Sequence, residues 1–172
     1  MEESEMKKTE KVCAFTGHRP DKLPFQRVGD EAYNALMGRL KDEILRHITQ
    51  EGVVHFVSGM AAGVDLMAAQ TVLFLKRRYP RITLECAVPH RGQERTVGAA
   101  WRGVYREALT AADQVTVLSE EYFPGCFHAR NRYMVDKADC VIAVWDGTPG
   151  GTGYTVAYAR KMGVAVTVVD SM

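Results

Sequence analysis

The decapeptide D-G-T-P-G-G-T-G-Y-T, Asp146 to Thr155, lies directly behind the apolar run Cys140 to Trp145 and ahead of a helix-compatible segment. Asp146 and Gly147 stop a strand. Gly150 and Gly151 carry no β-carbon, so the backbone can turn sharply there and aim its N–H groups at an anion. The first helical turn, from Thr152 onward, adds unpaired N–H groups and a partial positive charge. This is the chemistry of a phosphate cradle, and it points to a nucleotide-like ligand.

Three further segments carry matching residue types. Ser58-Gly-Met-Ala-Ala-Gly-Val-Asp65 brings Ser58, Gly59 and Met60 to a tight turn and places Asp65 in the first turn of a helix. Asp65 either accepts hydrogen bonds from unpaired N–H groups or contacts a ribose or base. Thr16-Gly-His-Arg-Pro20 offers a hydroxyl, Gly17, the imidazole of His18 and the planar fork of Arg19. That fork suits phosphate or carboxylate, its alternative being a salt bridge within the loop. His18 reads as a structural hydrogen-bonder. Arg130 and Asn131 open a helix from which they reach the same place, while Arg132 faces solvent. A positive charge at a helix start opposes the dipole, which favours a ligand-binding reason for Arg130.

The elements that must position these groups follow from hydrophobic pattern. Six apolar runs, Val12–Thr16, Val54–Ser58, Ile82–Val88, Gln114–Leu118, Cys140–Trp145 and Val164–Val169, read as strands covered on both faces. Between them, Leu36, Leu40, Ile44, Leu45 and Ile48 repeat at helical spacing, with Asp30 as N-cap and Gly52 as stop. Further helices are expected over Gly63–Arg78, ended by Pro80, and over Gln93–Ala112, Arg130–Ala138 and Thr152–Met162, the last stopped by Gly163. The segment from Ser119 to Arg130 is the least regular and reads as a loop over the site. Such alternation predicts an α/β, Rossmann-like three-layer sandwich, with a mainly parallel sheet of about six strands flanked by helices. Parallel strands end at one edge, so the polar loops at 17–19, 58–65, 89–91, 119–121 and 146–152 share one rim.

Composition narrows the class. The chain has 172 residues, 47% of them hydrophobic and 25% charged, with formal net charge +1. One domain over 12–172 is expected, preceded by a flexible, charged segment at 1–11. The balanced charge argues against nucleic acid or an anionic membrane as partner. Met1 to Lys11 lacks the apolar stretch of a secretory signal, and no apolar run approaches the ~20 residues that span a bilayer, so a cytoplasmic location is expected. Cys13, Cys86 and Cys140 fall in strand-like runs and read as small core hydrophobes, and Cys126 reads as a loop cysteine. Their spacing, with the scattered carboxylates Asp65, Glu121 and Asp146, gives no expectation of a bound metal.

With T-G-H-R-P at 16–20, S-G-M-A-A-G-V-D at 58–65, R-N-R-Y-M-V-D at 130–136 and G-T-P-G-G-T at 147–152, the chain resembles the SLOG superfamily. That Rossmann-like group contains DprA-type and LOG proteins, and the resemblance is closer to its DUF1273 or YpsA-like branch. It implies a rim that binds nucleotides or nucleotide-derived molecules, in signalling or in envelope and division control. LOG enzymes cleave the N-glycosidic bond of nucleoside monophosphates with a P-G-G-x-G-T-x-x-E motif and an Arg from a separate helix. Gly150, Gly151 and Gly153 fit that motif and Arg130 corresponds to the Arg, but Ala157 stands at the Glu and Tyr154 at the Thr. Glu94 and Glu120 are the acids offered in its place. The reading is therefore a sensor or signalling domain that binds a nucleotide or ADP-ribose-like small molecule, with no certain cofactor. Its alternatives are a LOG-type hydrolase and, third, single-stranded nucleic-acid binding. Related folds imply a homodimer, for which Phe123, Phe127 and Tyr133 are the apolar candidates.

Overall fold

The computed structural model describes residues 10–172. Most of the expected segment 1–11 lies outside the described residues, and Lys11 already belongs to the first strand. The strands are β1 (Lys11–Gly17), β2 (Val53–Ser58), β3 (Thr83–Val88), β4 (Gln114–Val117), β5 (Cys140–Val144) and β6 (Ala165–Val169). The helices are α1 (Glu31–Thr49), α2 (Val64–Lys76), α3 (Ala99–Ala111), α4 (Cys126–Lys137) and α5 (Gly151–Lys161). Every strand pairing is parallel, in the order β4-β3-β2-β1-β5-β6. This is the Rossmann-like sandwich expected from the alternation. From β1 the chain builds outward to β4, then returns to β5 on the other side, so the order reverses between β1 and β5. Crossovers diverge there and leave a crevice at the strands' C-terminal ends.

Strand periodicity sorts the core into two layers. Cys13 and Phe15 of β1, Phe56 of β2, Leu84 and Cys86 of β3 and Ile142 of β5 face Leu36, Leu40 and Ile44 of α1, with α2 and α3 beside it. The alternate residues Ala14, Val57, Ala87, Val141 and Ala143 face Met134 and Val135 of α4 and Val156 and Ala159 of α5. The second layer is lined largely by small side chains, which lets α4 and α5 approach the sheet closely. Asp30 caps α1 as expected, accepting from the Tyr33 N–H at 2.9 Å.

Three expectations need correction. The helix expected over Gln93–Ala112 is broken: a 3-10 turn spans Arg91–Thr96, and α3 starts only after Gly98, whose φ of +81° is left-handed. The helix expected from Arg130 starts four residues earlier, at Cys126, so Cys126 is a buried first-turn residue rather than a loop cysteine. The two edge strands are not covered on both faces: β4 has no buried residue and β6 only Val169. An edge strand lacks a neighbour on one side, and its helices reach only partly over it.

The α4 face of the sheet also holds a buried charge. Glu85 of β3 is fully buried and accepts from Tyr133 Oη at 2.7 Å, Thr116 Oγ1 at 2.9 Å and Lys137 Nζ, with His55 Nε2 at 3.1 Å. Burial alone would raise its pKa, but the hydrogen bonds of His55, Lys137, Tyr133 and Thr116 outweigh it and hold the carboxyl at about 2, against an ordinary 4.5. The stability this gives is present above the ordinary value and is lost as pH falls through the lowered one. Glu85→Ala should cost about 3–5 kcal/mol in urea unfolding, because it strands the buried ends of its partners. Between pH 5 and pH 2 the wild-type midpoint should fall more steeply than that of Glu85→Gln, and parallel pH profiles would refute the assignment.

Candidate functional site

At the β1/β5 reversal lies a cavity of about 330 Å³. Thr16, Gly17, His18 and Arg19 line it from the end of β1, and Asp21 and Lys22 from the 3-10 turn that follows. Ala61 enters from the β2–α2 connection and Asp65 from the first turn of α2, Phe127, His128, Arg130 and Asn131 from α4, and Gly150, Gly151 and Thr152 from the start of α5. Segments far apart in sequence thus meet at one edge of the sheet.

Arg130 is the centre of this arrangement. It is 3% exposed, its Nη1 donates to the Gly59 carbonyl, and its Nε donates to Asn131 Oδ1 at 2.8 Å. A β-carbon on Gly59 would lie 2.7 Å from the guanidinium carbon, so only glycine allows this approach. The same carbonyl accepts from Gln93 Nε2 at 2.9 Å, and Gln93 Oε1 accepts from Tyr105 Oη at 3.1 Å. The guanidinium carbons of Arg130 and Arg19 lie 5.8 and 5.1 Å from the centroid of the Phe127 ring. An aromatic face steadies both cations without neutralising them.

Asp65 supplies the opposing charge. Its Oδ2 accepts from the Ala61 N–H at 3.3 Å, while Gly63 occupies the N-cap of α2 and makes no side-chain cap. The carboxylate thus both serves the loop backbone and faces the cavity. Burial raises its pKa, and the charge of Arg130 pulls the other way, as do the Ala61 bond and Arg19. Burial likewise lowers Arg130, and Asp65 opposes that. A guanidinium nonetheless stays protonated throughout the working range.

The glycine-rich loop turns at Gly147 and Gly150, both at positive φ, and leads into α5. Gly150 makes no side-chain cap to α5, so the first N–H groups of that helix are available to a ligand. Lys22 Nζ stands beside Gly150, 3.1 Å from where a β-carbon would be. Asp146 accepts from the Thr148 hydroxyl at 2.5 Å and the Thr148 N–H at 3.0 Å, and its Oδ1 lies 3.1 Å from His18 Nε2. The Thr148 hydroxyl and N–H lead in holding its pKa at about 2, with His18 adding to them.

Of the residues singled out from sequence, Gly17, His18, Arg19, Asp65, Arg130, Asn131, Gly150, Gly151 and Thr152 line this one cavity. Ser58, Gly59, Met60, Asp146 and Gly147 are not on the cavity wall. Ser58 is buried beneath it, donating to the Asp65 carbonyl at 2.7 Å and accepting from the Met60 N–H. Met60 is a core residue at φ +67°, the single non-glycine with positive φ among the described residues. Gly59 acts through its carbonyl, Asp146 by orienting His18, and Gly147 only as a turn at φ +87°. Arg130 lies in the second turn of α4, not at its start, so the dipole argument for it fails and the Gly59 carbonyl is what places it. Arg132 is half-buried rather than solvent-facing. Glu94 and Glu120 form surface ion pairs with Arg106 and Arg91, so neither stands on the cavity wall, and Ala157 is exposed. Phe127 lines the cavity and Tyr133 serves Glu85, leaving Phe123 as the one exposed apolar candidate for a dimer contact. Asp21, Lys22, Phe127 and His128 were not singled out from sequence as ligand-binding residues. Lys22 and Asp21 could have been found from their nearness to Arg19, whereas the Phe127 role depends on α4 starting early.

A profile described as the YspA SLOG family matches residues 13–167. The chain belongs to the YspA SLOG family. It is 31% identical over 144 residues to the SPbeta prophage-derived protein YoqJ of Bacillus subtilis, covering 74% of this chain and 84% of that one. A UPF0398 protein of Halalkalibacterium halodurans is 30% identical over 154 residues, covering 88% and 81%. Among solved structures, DNA processing protein A of Helicobacter pylori, whose single-stranded DNA binding mode has been described, superposes with TM-score 0.59 at 18% identity, covering 96% of this chain and 67% of that one. At that identity the likeness concerns the fold. The SLOG motifs quoted from the sequence fall on the β1, β2 and β5 loops and on α4, which together build the cavity. Among the described residues no helix is long and apolar enough to cross a membrane.

The Asp65–Arg130 coupling is directly measurable. By carboxyl-carbon NMR the Asp65 midpoint should lie above its ordinary value of 3.8 and move further up in Arg130→Ala. Because the folded pKa is raised, this carboxyl costs stability as pH rises through that interval, and the variant should show a larger loss. An unmoved midpoint would mean that the two charges do not share the cavity.

Proposed function

We propose that this SLOG protein binds a nucleotide or nucleotide-derived small molecule at the C-terminal edge of its sheet, as a sensor or signalling domain. The observation that carries the reading is the pair of guanidiniums, Arg19 and Arg130, held on Phe127 opposite the uncapped N-terminus of α5. Planar donors, amide N–H groups and the ammonium of Lys22 together match the oxygens of a phosphate or pyrophosphate. A volume of about 330 Å³ suits one nucleoside phosphate, at the low end of about 300–1,000 Å³ for small-molecule sites. Asp65 and Asp21 then face the ribose or base as hydrogen-bond acceptors.

A LOG-type hydrolase has less support, because the position of its motif Glu is the exposed Ala157. Single-stranded DNA binding draws on the Helicobacter pylori neighbour. Here the net charge is +1, and Arg46, Lys76, Arg91, Arg106 and Lys137 are already paired with carboxylates. A nearly neutral chain with these cations paired gives that reading less support than a strongly basic one would.

A thermal-shift panel of nucleoside mono- and diphosphates and ADP-ribose tests the reading. A ligand at 100 times its Kd adds about 2.7 kcal/mol, equivalent to roughly 5–10 °C in a chain this size. Arg19→Ala and Arg130→Ala should each weaken binding at least about tenfold through the loss of charged hydrogen bonds. Gly59→Ala should do the same, because its β-carbon displaces the guanidinium rather than the backbone. A panel without any shift at millimolar concentration would sink the proposal. Release of free base abolished by Arg130→Ala would replace it with hydrolysis, and a steeply salt-dependent oligonucleotide affinity with DNA binding.

A further inference from the structure

The opposite edge of the sheet holds a second set of chemically competent groups. Cys13 is the third residue of β1 and Cys140 the first of β5, and the two are paired in the parallel register. Their side chains therefore project to the same face, towards α1. His47, near the C-terminal end of α1, completes the group. The ligating atoms of Cys13, His47 and Cys140 all lie within 4.8 Å of one another. Cys13 and His47 are buried and Cys140 is half-buried.

Their surroundings are those of a metal site. His47 Nδ1 is 2.9 Å from the Glu43 carbonyl and 3.2 Å from Glu43 Oε1, which fixes the ring and leaves Nε2 to the thiols. Glu43 is itself held by Arg46, whose Nε and Nη2 donate to Oε1 at 2.8 and 2.6 Å. A carboxylate or carbonyl behind a histidine in this way is the usual outer support of a metal ligand. Cys140 is hydrogen-bonded to Cys13 and His47 within the trio, and outside it the thiols have weak contacts, at 3.6 Å from Cys13 Sγ to the Ala14 carbonyl and 3.8 Å from Cys140 Sγ to the Val12 carbonyl.

We propose that Cys13, His47 and Cys140 form a zinc(II) site, with two thiolates and one imidazole as ligands. Two thiolates cancel the charge of the ion, so the buried complex carries none. Zn–S bonds of about 2.3 Å and Zn–N bonds of about 2.0–2.1 Å place tetrahedral ligand atoms roughly 3.5–3.8 Å apart. The three atoms thus need to close by only about 1 Å, within reach of side-chain rotation. Cys140 alone reaches solvent, so it gives the ion its way in and leaves the fourth position to water. Sulfur and imidazole donors select zinc over magnesium or calcium. The site lies at the N-terminal edge of the sheet, away from the phosphate-binding cavity, and stands independently of that reading.

The test uses the full chain, purified reduced, loaded with zinc and desalted, with metal content measured by mass spectrometry. About one zinc per chain should be retained, and cobalt(II) in its place should give a thiolate charge-transfer band and the visible bands of a tetrahedral ion. Zinc should protect Cys140 of the wild-type protein from iodoacetamide, a readout that needs no variant to fold. Cys140→Ser and Cys13→Ser should each weaken zinc affinity by more than about a hundredfold, since loss of an outer support alone costs about 10–100-fold. Cys126→Ala should leave it unchanged. Zinc lost on desalting, retention that survives both substitutions, or equal alkylation of Cys140 with and without zinc would each overturn the site. So would a Cys13–Cys140 disulfide found in the reduced preparation in place of metal, seen as the loss of two hydrogens.

Discussion

Nearly the whole site rests on one buried cation. Removing a guanidinium from water is tolerated only where donors find acceptors and the charge finds compensation. Arg130 meets both conditions through the Gly59 carbonyl, the Asn131 amide, the Phe127 face and the opposing Asp65. Arg130 belongs to α4 on one face of the sheet, whereas Gly59 belongs to the β2–α2 connection and Asp65 to the first turn of α2, packed on the other. The guanidinium therefore ties the two layers together at the edge where the cavity opens. Gln93 and Tyr105 extend that tie towards α3, since they hold the same Gly59 carbonyl from behind.

The sheet makes this convergence inevitable. Parallel pairing puts all strand C-termini on one edge, and the change of direction between β1 and β5 separates the crossovers there. The helix-facing layers then decide what fits. Large residues under α1 to α3 give most of the burial, while Ala14, Ala87 and Ala143 let α4 and α5 settle close to the sheet. That closeness brings Phe127 under Arg19 and Tyr133 and Lys137 onto Glu85. The same registers also place Cys13 beside Cys140 at the far edge, beneath His47.

Much of this was legible in the chain. Apolar runs of strand length, separated by helical periodicity, define all six strands to within a residue or so at their ends. Asp30 announces the start of α1 because a short carboxylate is a good N-cap. The glycine loops at 58–65 and 147–152 were readable because glycine at a strand end has few other uses. The break at Gly98 was not, since a single glycine is tolerated in a helix interior and only its φ reveals the turn. Nor was the early start of α4, for Gly125-Cys-Phe-His carries no capping residue and reads as loop.

Local composition thus determined the elements, their order and the sheet edge to which the polar loops belong, because periodicity and turn chemistry act over a few residues. Only the tertiary structure decided which members of each loop face the cavity. Ser58 and Met60 turn inward, whereas Asp65, seven positions after Ser58, faces the cavity. It also decided that Arg130 rests on Gly59, and that Cys13, His47 and Cys140 meet although 34 and 93 residues separate them in turn. Such pairings are set by strand register and helix packing across the whole chain, which no local spacing encodes.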